Sequence, residues 1–414
     1  MTASRSRLPV TPDDVRAAAA RIEGGVVVTP SAHSQTLSDI TGADVIVKFE
    51  SMQFTASFKE RGARNRLLLL DDDERSRGVI ASSAGNHAQA IAHHSRLLGV
   101  ASTIVMPETT AFIKIERTET LGGTVVLHGA DVRESAKHAR AIAEREGLVL
   151  VPPFDDPDVI AGQGTIALEL LAAHPDLDVI VSPVGGGGLL SGIAVAARDL
   201  APDVELIGVQ AATCASMVAA LAGDPAPTTC DTIADGIRVP EAGKLTREII
   251  GALVDDVVTV TDANIEEAMS LYLEIEKTVA EGAGAAPLAA LLEHGDRFRG
   301  RRVALVLSGA NADPRVLTTV ITRSLARTGR LTHLAVDLDD TPGALARLAT
   351  VLGERRANIV EIEHRRDLPS LHLKRARLEV TVETRDREHA DEIVAALVAE
   401  GWAVHREPVA GVET

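Results

Sequence analysis

From about residue 23 to about residue 320 the chain alternates between two kinds of apolar run. Short continuous runs, "VIVKF" (45–49), "GVIASS" (78–83), "ASTIVM" (101–106), "TVVLHG" (124–129), "DVIVSPV" (178–184), "ELIGVQ" (205–210) and "RVALVLS" (302–308), read as buried strands. Amphipathic stretches such as "GTIALELLAAH" (164–174) lie between them. Strands alternating with helices predict an α/β fold with mostly parallel sheets covered on both faces, in a stretch long enough for two such layers. Upstream, Thr11-Pro12-Asp13-Asp14 offers a hydroxyl cap, a proline for the first turn and acids for the helix dipole, so a helix is predicted to about residue 23.

After Arg330 the period changes. "HLAVDLDD" alternates, with Leu334, Val336 and Leu338 on one side; "TPGALARLATVLGERRAN" follows with Leu345, Leu348 and Leu352 on one helical face. "IVEIEH", "RLEVTVET", "ADEIVAALVAEGW" and "AVHRE" then complete the order βαββαβ, a ferredoxin-like module. The expected division is a catalytic region at 1–325 and a separate domain at 331–414. Within the former, a smaller subdomain is expected over about 52–150 and a larger one over about 10–51 and 151–325.

Composition narrows the function. A net charge of −17 argues against a nucleic-acid partner. No run of 18 apolar residues suggests a membrane span, and "MTASRSRLPVTPDD" lacks an apolar signal core. Cys214 and Cys230, the two cysteines, have neither metal spacing nor a disulfide framework. They are expected to be buried, inert thiols in a cytoplasmic protein.

Seven lysines stand against 35 arginines, and one of them, Lys59, lies in "SFKERGA". Arginine holds its proton in a protein, whereas a desolvated lysine can lose it and attack a carbonyl. In "DVIVSPVGGGGLLSGIAVAARDL", a buried strand runs through Gly185, Gly186, Gly187 and Gly188 into a helix. Bare N–H groups at a helix N-terminus make an anion site. A dinucleotide fingerprint fails there, because its last position falls on Leu190 or Ser191 and "ELIGVQ" ends in Gln210 rather than an acid. No Lys-Ser/Thr pair follows the glycines, which excludes a nucleotide P-loop. A cofactor with one phosphate and an aldehyde, pyridoxal 5'-phosphate, accounts for both stretches.

Two further stretches follow strands: "ASSAGNHAQA" (81–90), which opens a helix at about His87, and "VLSGAN" (306–311). SFKERGA, SSAGNHAQ, GGGGL and SGAN, in that order, resemble the tryptophan-synthase-like, or fold type II, pyridoxal-phosphate enzymes. Within them the chain is most similar to the threonine ammonia-lyases (threonine dehydratases), over roughly residues 10–325. "TPSAHSQTLSDITGADVIVKFES" (29–51) matches the same group. "DTPGALA" (340–346) resembles the opening of an ACT domain.

The resemblance implies roles. Lys59 would hold the cofactor and take the substrate α-proton. Asn86 would hydrogen-bond the ring oxygen. Gly185 to Gly188 with Leu189 would hold the phosphate, and Ser308 would face the ring nitrogen. Ser82, Ser83, Ala84, Gly85 and His87 would frame the substrate carboxylate, with Glu281 of "VAEGAG" near the cofactor. A neutral serine at the ring nitrogen makes a weaker electron sink than an aspartate would. That favours β-elimination over transamination: L-threonine to 2-oxobutanoate and ammonia, and L-serine to pyruvate. Serine racemases of this fold carry a serine where Ala84 stands, and Ala84 cannot donate a proton. "QAATCAS" (210–216) lacks the carboxylate with which those racemases hold a divalent ion, so no metal is expected there. The alternatives are L-serine or threo-3-hydroxyaspartate ammonia-lyase, then serine racemase, and, in a different class, a non-catalytic amino-acid sensor. The ACT resemblance implies a homo-oligomer, dimer or tetramer, with an amino-acid effector near Asp340, Gly343 and Asn358; isoleucine biosynthesis would consume the threonine product.

Overall fold

The structure, a computed structural model, describes residues 8–366 and 374–407. It divides into two compact units, Met1–Asp313 and Pro314–Thr414. The helix Pro314–Arg327 belongs to the second.

The first unit contains strands β1 (Ser31–His33), β2 (Asp44–Phe49), β3 (Val79–Ser82), β4 (Ser102–Met106), β5 (Thr124–Leu127), β6 (Val149–Leu150), β7 (Val179–Pro183), β8 (Glu205–Ala211), β9 (Asp256–Val260) and β10 (Arg302–Leu307). They form a six-stranded sheet, β1-β2-β10-β7-β8-β9, and a four-stranded sheet, β5-β4-β3-β6. Every pairing is parallel except β1 with β2. Leu305 of the central β10 pairs with Val47 on one side and Val181 on the other, and all three are buried. Seven of these strands coincide with the apolar runs; β1, β6 and β9 were not expected. Thr11 caps the first helix, Pro12–Ile22, in a reciprocal capping box with Asp14.

Three helices couple the lysine to the glycines. Lys59–Leu68, Pro157–Ala173 and Gly188–Leu200 pack so closely that side chains are excluded at their crossings. A Cβ on Gly162 would come within 2.7 Å of the Arg61 carbonyl oxygen, and one on Gly192 within 2.3 Å of that of Ile160. At the first crossing Arg61 is fully buried and uses all five of its N–H donors. It grips Glu50 through Nε and Nη2 (2.8 and 2.7 Å) and Glu169 through Nη1 and Nη2 (2.6 and 2.8 Å), with a second Nη1 contact to Thr165 Oγ1 at 3.1 Å. Lys48 Nζ, also buried, donates to Glu169 at 2.5 Å. Two cations and two carboxylates therefore close a neutral buried network.

The second unit follows its opening helix with β11 (Leu331–Asp339), the helix Ala344–Glu354, β12 (Asn358–Arg365), β13 (Arg375–Glu383), the helix Arg387–Ala399 and β14 (Ala403–Glu407). The sheet is antiparallel in the order β12-β13-β11-β14, the βαββαβ module expected. Leu334, Val336, Leu338, Leu348 and Leu352 form its core. Leu345, expected on the same face, is exposed in the first turn of its helix.

The cysteines correct the sequence reading. Cys214 and Cys230 form a disulfide, with Cα atoms 4.5 Å apart. The helix Ser216–Ala222 carries the chain out, and the following segment returns to place Asp231 O within 2.5 Å of Thr213 Oγ1, a closure that a spacing of 16 residues does not reveal. The reading of a reducing compartment rested on free thiols and loses that support. Among the described residues, no helix is long and apolar enough to cross a membrane. Denatured, oxidised protein should titrate no thiols until reductant is added, and then two. Cys230→Ser should lower unfolding stability in denaturant by about 3 kcal/mol, the loop-closure value for a ring of this size.

Candidate active site

The four motifs meet where the parallel strands end, at the carboxyl edge that such sheets use for ligands. Ser82 closes β3, the glycines follow β7, and Ser308 follows β10. Lys59 opens its helix after the loop that leaves β2. The Phe58 N–H donates to the Ser308 carbonyl at 3.0 Å, and Ser57 bridges Gly309. The lysine is thereby tied one residue away from a hydrogen bond to the serine strand.

Lys59 Nζ donates to the Pro153 carbonyl at 2.7 Å. Burial pushes its pKa down to about 8, against the opposing pull of the Glu281 carboxylate. Glu281 is itself buried, which raises its pKa to about 7, although a 2.8 Å hydrogen bond from Asn86 Nδ2 favours the charged form. A Cβ on Gly309 would lie 2.5 Å from Glu281 Oε1 and 3.2 Å from Asn86 Nδ2, so the glycine of "SGAN" makes room for this pair. Ala310, by contrast, has its N–H bonded to Ala56 O at 2.9 Å.

The glycines form a cradle. Gly187 has a φ of +98° and precedes the helix Gly188–Leu200. A Cβ on Gly186 would strike the Phe154 ring at 2.4 Å, and one on Gly187 would meet Met217 and Thr246 at 2.8 Å. Thr246 Oγ1 fixes the loop by donating to Gly186 O at 2.6 Å. Among the described residues none accepts from the N–H of Gly186 or Gly187, which suits an anion at the positive end of the helix. Leu189 turns inward and is buried.

The 82–87 loop also leads into a helix, Asn86–Leu98, starting one residue before the expected His87. Gly85 has open space where a Cβ would stand, and Ser83 Oγ accepts its N–H at 3.2 Å. Ser82 Oγ is buried and, among the described residues, has no hydrogen-bond partner. Ala84 packs against the core of the small sheet. His87 turns away from the loop: Nε2 lies 2.9 Å from Val151 O, so that nitrogen carries the hydrogen. Burial and the nearby Lys59 charge depress its pKa to about 3, leaving a neutral brace. A lysine with a depressed pKa, a single-anion cradle and an unpaired hydroxyl fit pyridoxal phosphate; when bound, its aldehyde carbon would join the amine and its conjugated ring would supply the electron sink for breaking bonds at a substrate α-carbon.

The model of the pyridoxal-phosphate dependent enzymes matches residues 22–309, and that of the ACT domain matches residues 332–401. The L-threonine ammonia-lyase of Thermotoga maritima is 41% identical over 95% of this chain and 99% of its own. The chain belongs to the threonine ammonia-lyase family of pyridoxal-phosphate enzymes. Among solved structures, the processed threonine deaminase isoform 2 of Solanum lycopersicum is 35% identical, with a TM-score of 0.71 over 75% of this chain and 86% of that one. The maize serine racemase is 33% identical, with a TM-score of 0.72 over 77% and 99%.

Sequence reasoning missed the Arg61 network, whose signal was the arginine two residues after the lysine, and the cluster of Glu60, His93 and His94, whose ligand atoms lie within 4.8 Å of one another. Glu281, expected near the cofactor, stands in direct contact with Asn86. Its folded pKa is raised above the unfolded value, so its burial carries no penalty below about pH 4, costs increasing stability as pH rises from there, and reaches the full cost above about pH 7. In the cofactor-free protein, Glu281→Gln should therefore match wild-type stability at about pH 4. At pH 8 it should exceed it by on the order of 2–3 kcal/mol, read by urea denaturation at both pH values.

Proposed function

We propose that this chain carries out β-elimination on L-threonine, releasing 2-oxobutanoate and ammonia, and acts on L-serine in the same way. The observation that carries the reading is the interlock of motifs. The Phe58 N–H holds the Ser308 carbonyl, Asn86 holds Glu281, and the Glu281 N–H holds Gly309 O at 3.1 Å. In this reading Lys59 binds the cofactor and, once released by the incoming amino acid, takes the α-proton. Its pKa near 8 suits a base at neutral pH. Ser308 faces the ring nitrogen with a neutral hydroxyl, which favours a reaction whose leaving group departs early. The N–H groups opening the helix at Asn86 and the Ser82 and Ser83 hydroxyls take the substrate carboxylate. Asn86 orients the ring, and Gly185 to Leu189 hold the phosphate.

Ala84 disfavours the racemase alternative, because a methyl cannot deliver a proton to the opposite face of the α-carbon. A hydroxyaspartate lyase needs a free cation for the second carboxylate. Lys114, near enough to influence Glu281, is already paired with Asp235 at 3.1 Å. The sensor reading is disfavoured by the intact lysine and cradle.

The ACT domain in turn supports amino-acid control of a homo-oligomer. Gly343, with a φ of +87°, turns the chain from β11 into its helix. Asn358 opens the edge strand β12, where Val360 is exposed. Asp340 is held by Arg366 Nε at 3.0 and 3.1 Å.

Purified protein supplied with pyridoxal phosphate should form 2-oxobutanoate from L-threonine, and Lys59→Ala should lower kcat by on the order of 10³-fold or more. A bound cofactor with turnover of L-serine or threo-3-hydroxyaspartate but not L-threonine would overturn the substrate assignment.

A further inference from the structure

Three residues before the lysine, Ala56 has a φ of +56°, in the left-handed region that non-glycine residues rarely occupy. Such a conformation costs of order 1–3 kcal/mol and survives only where its surroundings over-determine it. Here they do. The Ala56 N–H donates to Gln53 O at 2.8 Å, and its carbonyl accepts from the Ala310 N–H at 2.9 Å. The preceding Thr55 is gripped at both ends of its peptide groups: its N–H donates to Glu60 Oε1, and its carbonyl accepts from Asn311 Nδ2 at 2.8 Å.

The Asn311 grip continues into the site, and the Glu60 grip continues away from it. Asn311 Nδ2 also lies 2.6 Å from Asn86 Oδ1. Because the Asn311 group donates, it fixes the Asn86 amide with its oxygen toward Asn311 and its Nδ2 toward Glu281. On the other side, Glu60 Oε2 faces His94 Nε2 at 3.2 Å. Arg64 Nη1 lies 3.5 Å from His94 Nδ1, and a guanidinium can only donate. The δ nitrogen therefore accepts, and Nε2 carries the hydrogen that Glu60 receives. This tautomer aims a donor at the carboxylate where a metal would need a lone pair, so Glu60 and His94 form a hydrogen-bonded support and not a metal centre, with His93 stacked on Phe54 beside them.

We propose that Glu60, Asn311 and His94 are positioning residues, forming one chain from His94 through Glu60, Thr55 and Asn311 to Asn86 that holds the strained Ala56 bend and sets Lys59 and the Asn86 amide toward the same cofactor. The proposal rests on the reading of Lys59 and Asn86 as cofactor-binding residues. Among the described residues, the Glu60 and His94 side chains make no hydrogen bond to Lys59 or Asn86; they act through Thr55. Glu60 is buried, which raises its pKa, but the hydrogen bonds from His94 and Thr55 outweigh burial and keep it an acceptor.

Glu60→Gln keeps the side-chain shape but replaces one acceptor oxygen with a donor, so one of its two bonds must fail. Asn311→Ala removes the other grip. Each variant should still unfold cooperatively, bind pyridoxal phosphate about 10-fold or more weakly in a spectrophotometric titration of cofactor-free protein, and show an altered visible circular-dichroism band. Their kcat should fall more than KM rises. Glu60→Asp, which remains an acceptor on both oxygens, should recover part of the cofactor affinity. Affinity, dichroism and kcat at wild-type values in both variants, or lowered thermal stability with all three unchanged, would overturn the proposal. Failure of the underlying reading looks different: wild-type protein itself would form no lysine-bound chromophore, or Lys59→Ala would retain it.

Discussion

The burial of one arginine charge governs the layout of this protein. Arg61 is sealed between the helix that begins with Lys59 and the helix Pro157–Ala173, and its five N–H groups find partners among Glu50, Glu169 and Thr165. An isolated charge at that depth would be intolerable, and removing one partner of such a network typically costs about 3–5 kcal/mol. The network admits only one seating of the lysine helix, because a planar bidentate fork must meet two carboxylates at once. Gly62 and Gly162 let the two backbones approach, and Gly164 and Gly192 repeat the arrangement toward the helix of the phosphate cradle. The distance from lysine to cradle is thus set by backbone packing, which is stiffer than any contact between long side chains.

On this frame the site is tuned by desolvation. Lys59 and Glu281 are shifted toward one another in pKa, to about 8 and about 7, by burial that penalises the charged form of each. Burial thus leaves both groups poised near neutrality, with Glu281 held by Asn86. His87, whose pKa burial drives to about 3, is a neutral strut against Val151 O. The strained bend at Ala56 shows where the protein spends stability on geometry, and it lies in the loop between the two systems.

Much of this was legible in the sequence because the relevant signals are local. Buried parallel strands are continuous apolar runs, and a four-glycine stretch between strand and helix has few other uses. The ACT domain could be read from its period and its "DTPGALA" opening. The short edge elements were not legible: β6 has two residues, β1 has three, and β9 begins at an exposed acid. Neither was any feature that joins distant positions. The disulfide depends on a chain reversal after the helix Ser216–Ala222, and Arg61 meets Glu169 across 108 residues. Glu60 and His94, in the same way, look like ordinary helix residues until Thr55 and Asn311 are seen between them and the site.

The central claim is that folding itself makes the Lys59 amine available as a neutral nucleophile near physiological pH. The direct measurement is the initial rate at which cofactor-free protein captures pyridoxal phosphate, followed by absorbance as a function of pH. The rate should rise and level off around pH 8, because only the unprotonated amine attacks and the buried pKa lies at about 8. A rate that continues to climb toward the ordinary lysine value of about 10.4 would contradict the account.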